Sequence, residues 1–394
     1  MSIYQRIIIA YACEDSGSEP GVGYYWSKAI ATAVEDRDVL LITRKNNDVS
    51  KLLEENRNIV LKGVDLPNNL LKIKKLIGAR LYFLIWQFLV FSFLIKNYKL
   101  FKKAKIHQVT FTPMYYPPIF FILPFTFIWG PLGGGESYPI AYLKELKVRD
   151  RIKEILRQFI RFSIYINPLF YLGCIRSEKI ICSTPESAKM IPKSFADKVV
   201  VELMVFDSDK SDYSRTRQKT IVIANRLIDW KATHLFVEAF AEFKTMCVTD
   251  YKLIIIGDGP YFERVKPFID GESIVHYRRF SKREDMLDIL KNASLFVSMS
   301  LRDSGAASLL EAMSYGIPFL VSSSGAHRVY LNTGVGYGFE LENFSKDKNK
   351  IVSLLTEILN DESLLDEQSK KIIETYNSYF SESEKIKRIK SILV

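Results

Sequence analysis

Cysteine is scarce in this chain. Its 394 residues include four, Cys13, Cys174, Cys182 and Cys247, scattered without a CxxC pair or metal-ligand spacing. That excludes a disulfide framework and a sequence-coded zinc site, and it suits small core residues in a reducing compartment. A secretory signal is also missing. Arg6 precedes a short apolar stretch, Ile7 to Cys13, that runs into Glu14 and Asp15 where a small-residue cleavage site would stand. The stretch reads as a first buried strand. The apolar run LYFLIWQFLVFSFLI, between Arg80 and Lys96, has fifteen residues and is interrupted by Gln87 and Ser92. A membrane span needs about twenty.

What is present is an ordinary globular balance, 48% apolar and 25% charged residues. The length exceeds what one core serves, so two domains are expected. Charge is uneven within the net +10. Residues 1–200 carry 29 basic and 17 acidic residues, a net of +12, and residues 201–394 carry 26 and 28, a net of −2. Residues 51–105 alone hold 12 basic and 3 acidic residues, or +9. Such a half is built to meet something anionic, a nucleic acid or a membrane surface. The segment itself favours an anionic membrane surface and no nucleic acid. Lys72, Lys74 and Lys75 lie before it and Lys96, Lys99, Lys102, Lys103 and Lys105 after it, with Tyr82, Trp86 and four phenylalanines between. A buried helix with a solvated basic end fits the same residues, and one helix can be both.

Strand and helix patterns alternate through both halves. RIIIAYAC (6–13), DVLLIT (38–43), IHQVTF (106–111) and FTFIWG (125–130) read as strands, with helices at 23–35 and 80–104. After a polar linker, FDSDKSDYSRTRQK (206–219), the pattern restarts with KTIVIANR (219–226), YKLIIIGDG (251–259), SLFVSMS (294–300) and PFLVSS (318–323) between helical segments. The expected fold is α/β, two facing Rossmann-like doubly wound parallel-sheet domains. Their expected bounds are 1–205, 206–378, and a terminal helix in 379–394 that returns to the first domain. Ligands of such sheets bind outside the carboxyl ends of the strands, so the loops there are searched for chemistry.

Four loops stand out. Glu19-Pro20-Gly21-Val22-Gly23 places glycines at a helix start, where Gly21 and Gly23 let backbone approach a phosphate or sugar. A tight turn explains it equally, and Trp26 stands where the dinucleotide fingerprint needs its third glycine. Gly130-Pro131-Leu132-Gly133-Gly134-Gly135-Glu136 keeps three consecutive glycines, with Gly134 central, either for close backbone approach or as a flexible loop. Arg226 and Lys231, in NRLIDWK, are two cations able to neutralise a diphosphate, or else a solvated basic pair. Asp303-Ser-Gly-Ala-Ala-Ser-Leu-Leu-Glu311 follows a strand. Asp303 or Ser304 would cap a helix with Gly305 in its first turn, leaving the amides of Gly305, Ala306, Ala307 and Ser308 for a phosphate. Glu311 lies eight positions, about two turns, beyond Asp303 in an apolar helix, where sugar hydroxyls or a structural partner would satisfy it.

Together these loops resemble the retaining glycosyltransferases of family four, which have the GT-B arrangement of two Rossmann-like domains. The resemblance runs from about residue 6 to residue 380 and is most specific in RL-xxx-K, in the turn Gly257 to Pro260, and in the acidic-x7-Glu element leading into EAMSYGIP. FIWGPLGGGESYP and EPGVGYYW are similar to a branch associated with bacterial surface polysaccharide: capsule, O-antigen or exopolysaccharide. The resemblance implies that Arg226 and Lys231 hold a donor diphosphate, Glu311 the ribose hydroxyls and Asp303 the donor sugar, with the backbone amides of Gly305 to Ser308 at the distal phosphate and Ser304 also in the donor site. His107, in IHQVTF, stands where the family often has a histidine near the reacting carbon; a core or surface histidine is the other reading. Asp303 stands where the family usually has Glu, and Ser324-Gly325 where it has two glycines. The resemblance implies front-face transfer with retention, without metal or cofactor, from a nucleotide-diphosphate sugar to a glycan or lipid-linked glycan acceptor. It places the enzyme in the cytoplasm, peripheral on the inner face of the plasma membrane. The rivals are a nucleotide-sugar epimerase, a phosphorylase, for which no pyridoxal lysine motif is present, and an inactive nucleotide-sugar binder.

Overall fold

Apolar, β-branched runs such as RIIIA and VLLIT are buried along their whole length, the signature of strands covered on both faces. The computed structural model describes residues 4–34, 38–67, 70, 72–207, 216–280 and 283–393. Two parallel sheets result, as expected for an α/β chain of this pattern. The first holds β1 (Arg6–Ala10), β2 (Val39–Thr43), β3 (Ile59–Gly63), β4 (Lys105–Gln108), β5 (Thr126–Leu132), β6 (Ser177–Cys182) and β7 (Val199–Val201) in the order β3-β2-β1-β4-β5-β6-β7. The second holds β8 (Gln218–Ala224), β9 (Lys252–Ile256), β10 (Ile274–Tyr277), β11 (Ala293–Ser298), β12 (Phe319–Ser322) and β13 (Tyr337–Phe339) in the order β10-β9-β8-β11-β12-β13. Strand order reverses between β1 and β4 and between β8 and β11. These are the switch points at which doubly wound sheets bind ligands.

The chain forms two compact units. One is Met1–Gly135, Phe159–Val205 and Lys385–Val394; the other is Glu136–Gln158 and Phe206–Glu384. Residues 136–158, counted with the first half in the sequence reading, thus join the second unit. Polar contacts hold them there: the Tyr142 hydroxyl donates to Asp347 at 2.6 Å and Arg264 donates to the Glu145 carbonyl at 2.7 Å. The C-terminal helix Glu382–Leu393 anchors in the first unit through Lys385, which donates to the carbonyls of Leu203 and Val205, and through Arg388 on Glu202 at 2.8 Å. Residues 208–215, most of the polar stretch expected as a linker, lie outside the described residues.

The apolar 80–96 segment lies in the helix Lys72–Lys96, which is broken at Gly78 (φ 78°). Its part Ile77–Lys96 has 20 residues and a mean hydropathy of 1.7, long and apolar enough to cross a bilayer, unlike the fifteen counted from the sequence. One face, with Tyr82, Trp86, Val90 and Leu94, is packed in the first core, and the Trp86 indole donates to the Val64 carbonyl at 2.7 Å. Trp86 therefore has no exposed surface to offer a membrane. Leu81, Leu84, Phe88 and Ile95 form the outer face.

Of the chain's four histidines, three are buried and neutral. Burial lowers His107 from its ordinary 6.5 to about 3, with the Gly130 carbonyl opposing it. Burial and then the Arg264 charge lower His234 to about 3, and burial lowers His327 to about 4. The unfolded chain binds protons below pH 6.5 that these folded sites refuse, so their stabilisation is complete above that pH and falls as pH drops towards 4. Each histidine contributes a slope approaching about 1.4 kcal/mol per pH unit. The second unit, with two of them, should lose stability twice as steeply as the first between pH 6.5 and about 5. Urea titrations across that range, with His327→Gln as the flattening control, measure it. A midpoint independent of pH contradicts the neutral, buried assignment.

Candidate functional site

The loops that follow β8 and β11 flank the switch point of the second sheet and are knitted together where Leu301 N–H donates to the Trp230 carbonyl at 2.7 Å. Each is held by glycines at places no side chain could occupy. The turn after β9 nests against the β8 loop: a Cβ on Gly257 (φ 140°) would lie 1.8 Å from the Asn225 oxygen, and one on Gly259 would lie 2.2 Å from that of Leu227. Leu227 N–H donates to Asp258 O, and Tyr261 N–H to Leu227 O, both at 3.0 Å. This nesting fixes the backbone of Arg226, whose guanidinium is exposed and makes no hydrogen bond or ion pair among the described residues.

Lys231 ends a short 3-10 turn, Asp229–Lys231, and its ammonium pairs with Oδ2 of Asp303. The two side chains are only 17% and 16% exposed. Oδ1 of Asp303 accepts from the amides of Gly305 at 3.1 Å and Ala306 at 3.2 Å. Burial works to raise the Asp303 pKa, but the Lys231 ammonium and these contacts outweigh it and hold the carboxyl well below the usual carboxylate range. The helix begins at Ala307 rather than at Ser304 or Gly305, with Ala306 left-handed (φ 52°). The amides of Gly305 and Ala306, expected to be open to a phosphate, are therefore taken by Asp303. Those of Ala307 and Ser308, the first of the helix, have no intrahelical acceptor.

The Ser304 hydroxyl donates to Oε2 of Glu136 at 2.9 Å, so the acid that closes the glycine loop stands beside the Asp303 turn. Arg302 lies 4.4 Å over the Trp230 ring and donates to Glu154 at 2.6 Å. His327 lies close enough to the Lys231–Asp303 pair for both charges to act on it. Its Nδ1–H donates to the Ser322 carbonyl at 3.1 Å, while Nε2 is buried without a hydrogen-bond partner. Glu311, on the helix Ala307–Ser314, accepts from Arg283 at 2.5 Å. Its partner in the free protein is thus an arginine that is itself largely exposed, 63% by its side chain.

The structure therefore brings Lys231, Asp303 and Ser304 together, with Arg226 on the adjoining loop and Glu311 held by Arg283. Gly21, Gly23, Gly134 and His107 belong to the first unit. Gly21 and Gly23 are not in a loop: the helix begins at Ser18, and the Gly21 amide donates to Gly17 at 2.9 Å. A Cβ on Gly23 would lie 2.0 Å from the Ala12 oxygen, so its glycine serves helix–strand packing. Gly134 (φ 94°) is required by its dihedral and by Tyr115, whose ring a Cβ would meet at 2.7 Å. His107 corrects the expectation of a reacting group. It is fully buried, donates Nε2–H to the Gly130 carbonyl at 2.7 Å and shows no surface that a sugar could touch.

Glu136, Trp230, Arg302 and His327 were missed from sequence. Trp230 and Arg302 were legible as the direct neighbours of Lys231 and Asp303, and Glu136 as the only acid of its loop. Nothing local marks His327, because its proximity comes from the β12 turn. Among the described residues, no three His, Cys, Asp or Glu side chains cluster as metal ligands.

Residues 206–376 match the family model of glycosyl transferases group 1. No curated protein matches the chain. Among solved structures, Anabaena HepE in complex with UDP matches with a TM-score of 0.62 at 14% identity, covering 98% of this chain and 99% of that one. A glycosyltransferase from Rickettsia africae matches at 0.62 and 15%, covering 99% of each chain. WaaG, a glycosyltransferase involved in lipopolysaccharide biosynthesis, matches at 0.62 and 11%, covering 98% of this chain and 99% of its own. At such identities the likeness is one of fold. Residues 206–376 are thus similar to the glycosyl transferases of group 1, and the whole chain has the two-sheet Rossmann-like fold of the GT-B glycosyltransferases.

Proposed function

We propose that this protein is a retaining glycosyltransferase that moves a sugar from a nucleotide-diphosphate sugar to a glycan acceptor. The observation that carries the reading is the pairing of Lys231 with Asp303 at the switch point of the second sheet, beside an exposed Arg226 and two open helix amides. In this reading the diphosphate sits between Arg226, Lys231 and the amides of Ala307 and Ser308. Negative charge that builds on the leaving diphosphate is met by fixed positive groups. Binding draws Lys231 partly from Asp303, whose Oδ1 stays locked by the loop amides and whose Oδ2 then faces the donor sugar. Glu311 exchanges Arg283 for the ribose hydroxyls. The bond from the anomeric carbon to the phosphate oxygen breaks as the acceptor oxygen bonds to that carbon on the same face. The acceptor's proton passes to the departing phosphate oxygen. His107 has no part in this step.

The acceptor side is assigned to the first unit. The acceptor is a lipid-linked glycan of surface polysaccharide assembly, met in the cytoplasm at the inner face of an anionic membrane. The complexes of HepE with UDP and with UDP-glucose, and the role of WaaG, support the donor class and the pathway by analogy of fold. The reading needs neither metal nor cofactor. Proton NMR of a product formed in the presence of EDTA should show the donor's anomeric configuration retained. Inversion, or loss of turnover with the chelator, contradicts it.

A further inference from the structure

A helix that packs on a folded body normally turns its apolar stripe inward. The helix Val148–Phe162 does the reverse. Its inward residue Glu154 is buried and accepts from Arg302 at 2.6 Å and from Arg157 at 3.2 Å. Arg151 donates to the Leu143 carbonyl at 2.8 Å, and Arg157 to that of Glu136 at 2.7 Å. The polar side is thus consumed in anchoring. Outward stand Val148, Ile152, Leu156, Phe159, Phe162 and, in the turn that follows, Ile166, all exposed, with Phe159 at 70% and Ile166 at 85%. Their spacing of three and four residues keeps them on one stripe. An apolar stripe of this extent facing water marks a contact surface.

Charge says what covers it. From Lys144 to Arg176 the chain has eight basic and three acidic residues, a net of +5. Two of the three acids are already engaged, Glu154 as above and Asp150 with Lys153 at 2.8 Å. Lys144, Lys147, Arg149 and Arg176 are exposed and make no ion pair among the described residues. A second copy of this chain would bring the same cations against them. A bilayer with anionic headgroups accepts both parts, the apolar stripe at the acyl boundary and the cations among the phosphates. We propose that the outer face of Val148–Phe162, continued to Ile166, docks the protein on an anionic membrane surface. This rests on the reading of a lipid-linked acceptor and gives that reading its surface, a different one from the apolar helix before residue 96.

Co-sedimentation with phosphatidylcholine vesicles, plain and enriched in phosphatidylglycerol, tests it at low and high salt. Wild-type protein should bind the enriched vesicles, and salt should remove only part of the binding, because the apolar share is not screened. Phe159→Asp with Phe162→Asp should weaken that binding about tenfold or more, while the thermal shift on adding UDP stays as in wild type. Val248→Asp, at another exposed apolar side chain, should leave binding unchanged. Three results overturn the proposal: wild-type protein that ignores anionic vesicles, an aspartate pair that binds them as wild type does, or a wild-type dimer that the pair converts to monomer. If vesicles are bound but no sugar is transferred from any donor, the transferase reading fails and the docking face stands.

Discussion

Lys231→Ala is expected to lower transfer by about 100-fold or more, the loss typical of removing one fixed charge from a developing anion. Arg226→Ala should do the same. The two differ in what they do to the fold. Arg226 is exposed and without a hydrogen-bond or ion-pair partner among the described residues, so its removal should leave the melting temperature where it was. Lys231 neutralises a carboxylate that is only 16% exposed, and removing it leaves that charge uncompensated, at a cost of about 3 kcal/mol. The sequence suggested only a pair of equivalent cations; the structure makes one of them structural as well. Asp303→Asn added to Lys231→Ala should restore the melting temperature without restoring transfer. Thermal melts and donor turnover on the four proteins decide it. Full turnover in either alanine variant removes both cations from the diphosphate.

Gly325→Ala should be nearly as damaging, although Gly325 contacts no proposed substrate. Its φ is 51°, and a Cβ there would lie 2.1 Å from the Asp303 oxygen and 3.0 Å from its nitrogen. The same Asp303 carbonyl accepts from Ala326 N–H at 2.7 Å, so the two loops cannot simply part. The added methyl must displace the backbone of Asp303 and with it both Lys231 and the Gly305 and Ala306 amides. A fall in turnover of about 100-fold or more is expected, because an error near 1 Å in a charged site is enough. Gly21→Ala is the comparison: nothing lies within 4 Å of its Cβ, and turnover and stability should be close to wild type. Normal kinetics for Gly325→Ala would mean that Asp303 is not held as described.

The sequence by itself determined the two-sheet α/β architecture, because fully buried parallel strands need unbroken apolar runs and those runs are visible without any partner. It also pointed to the loops on which the proposed site is built, since Arg226, Lys231, Asp303 and Glu311 all follow strands whose carboxyl ends form the switch point or its neighbours. Three things were decided only in the tertiary structure. The role of each glycine was one: Gly23 and Gly325 answer to carbonyls at Ala12 and Asp303, which local sequence cannot bring near. The state of the charged groups was another: Asp303 takes the very amides that a helix start seemed to leave open, and His107 disappears between strands that are distant in the chain. The last was the orientation of amphipathic helices. Periodicity gives a stripe but not its direction, and only packing shows that Trp86 faces the core while Phe159 faces water.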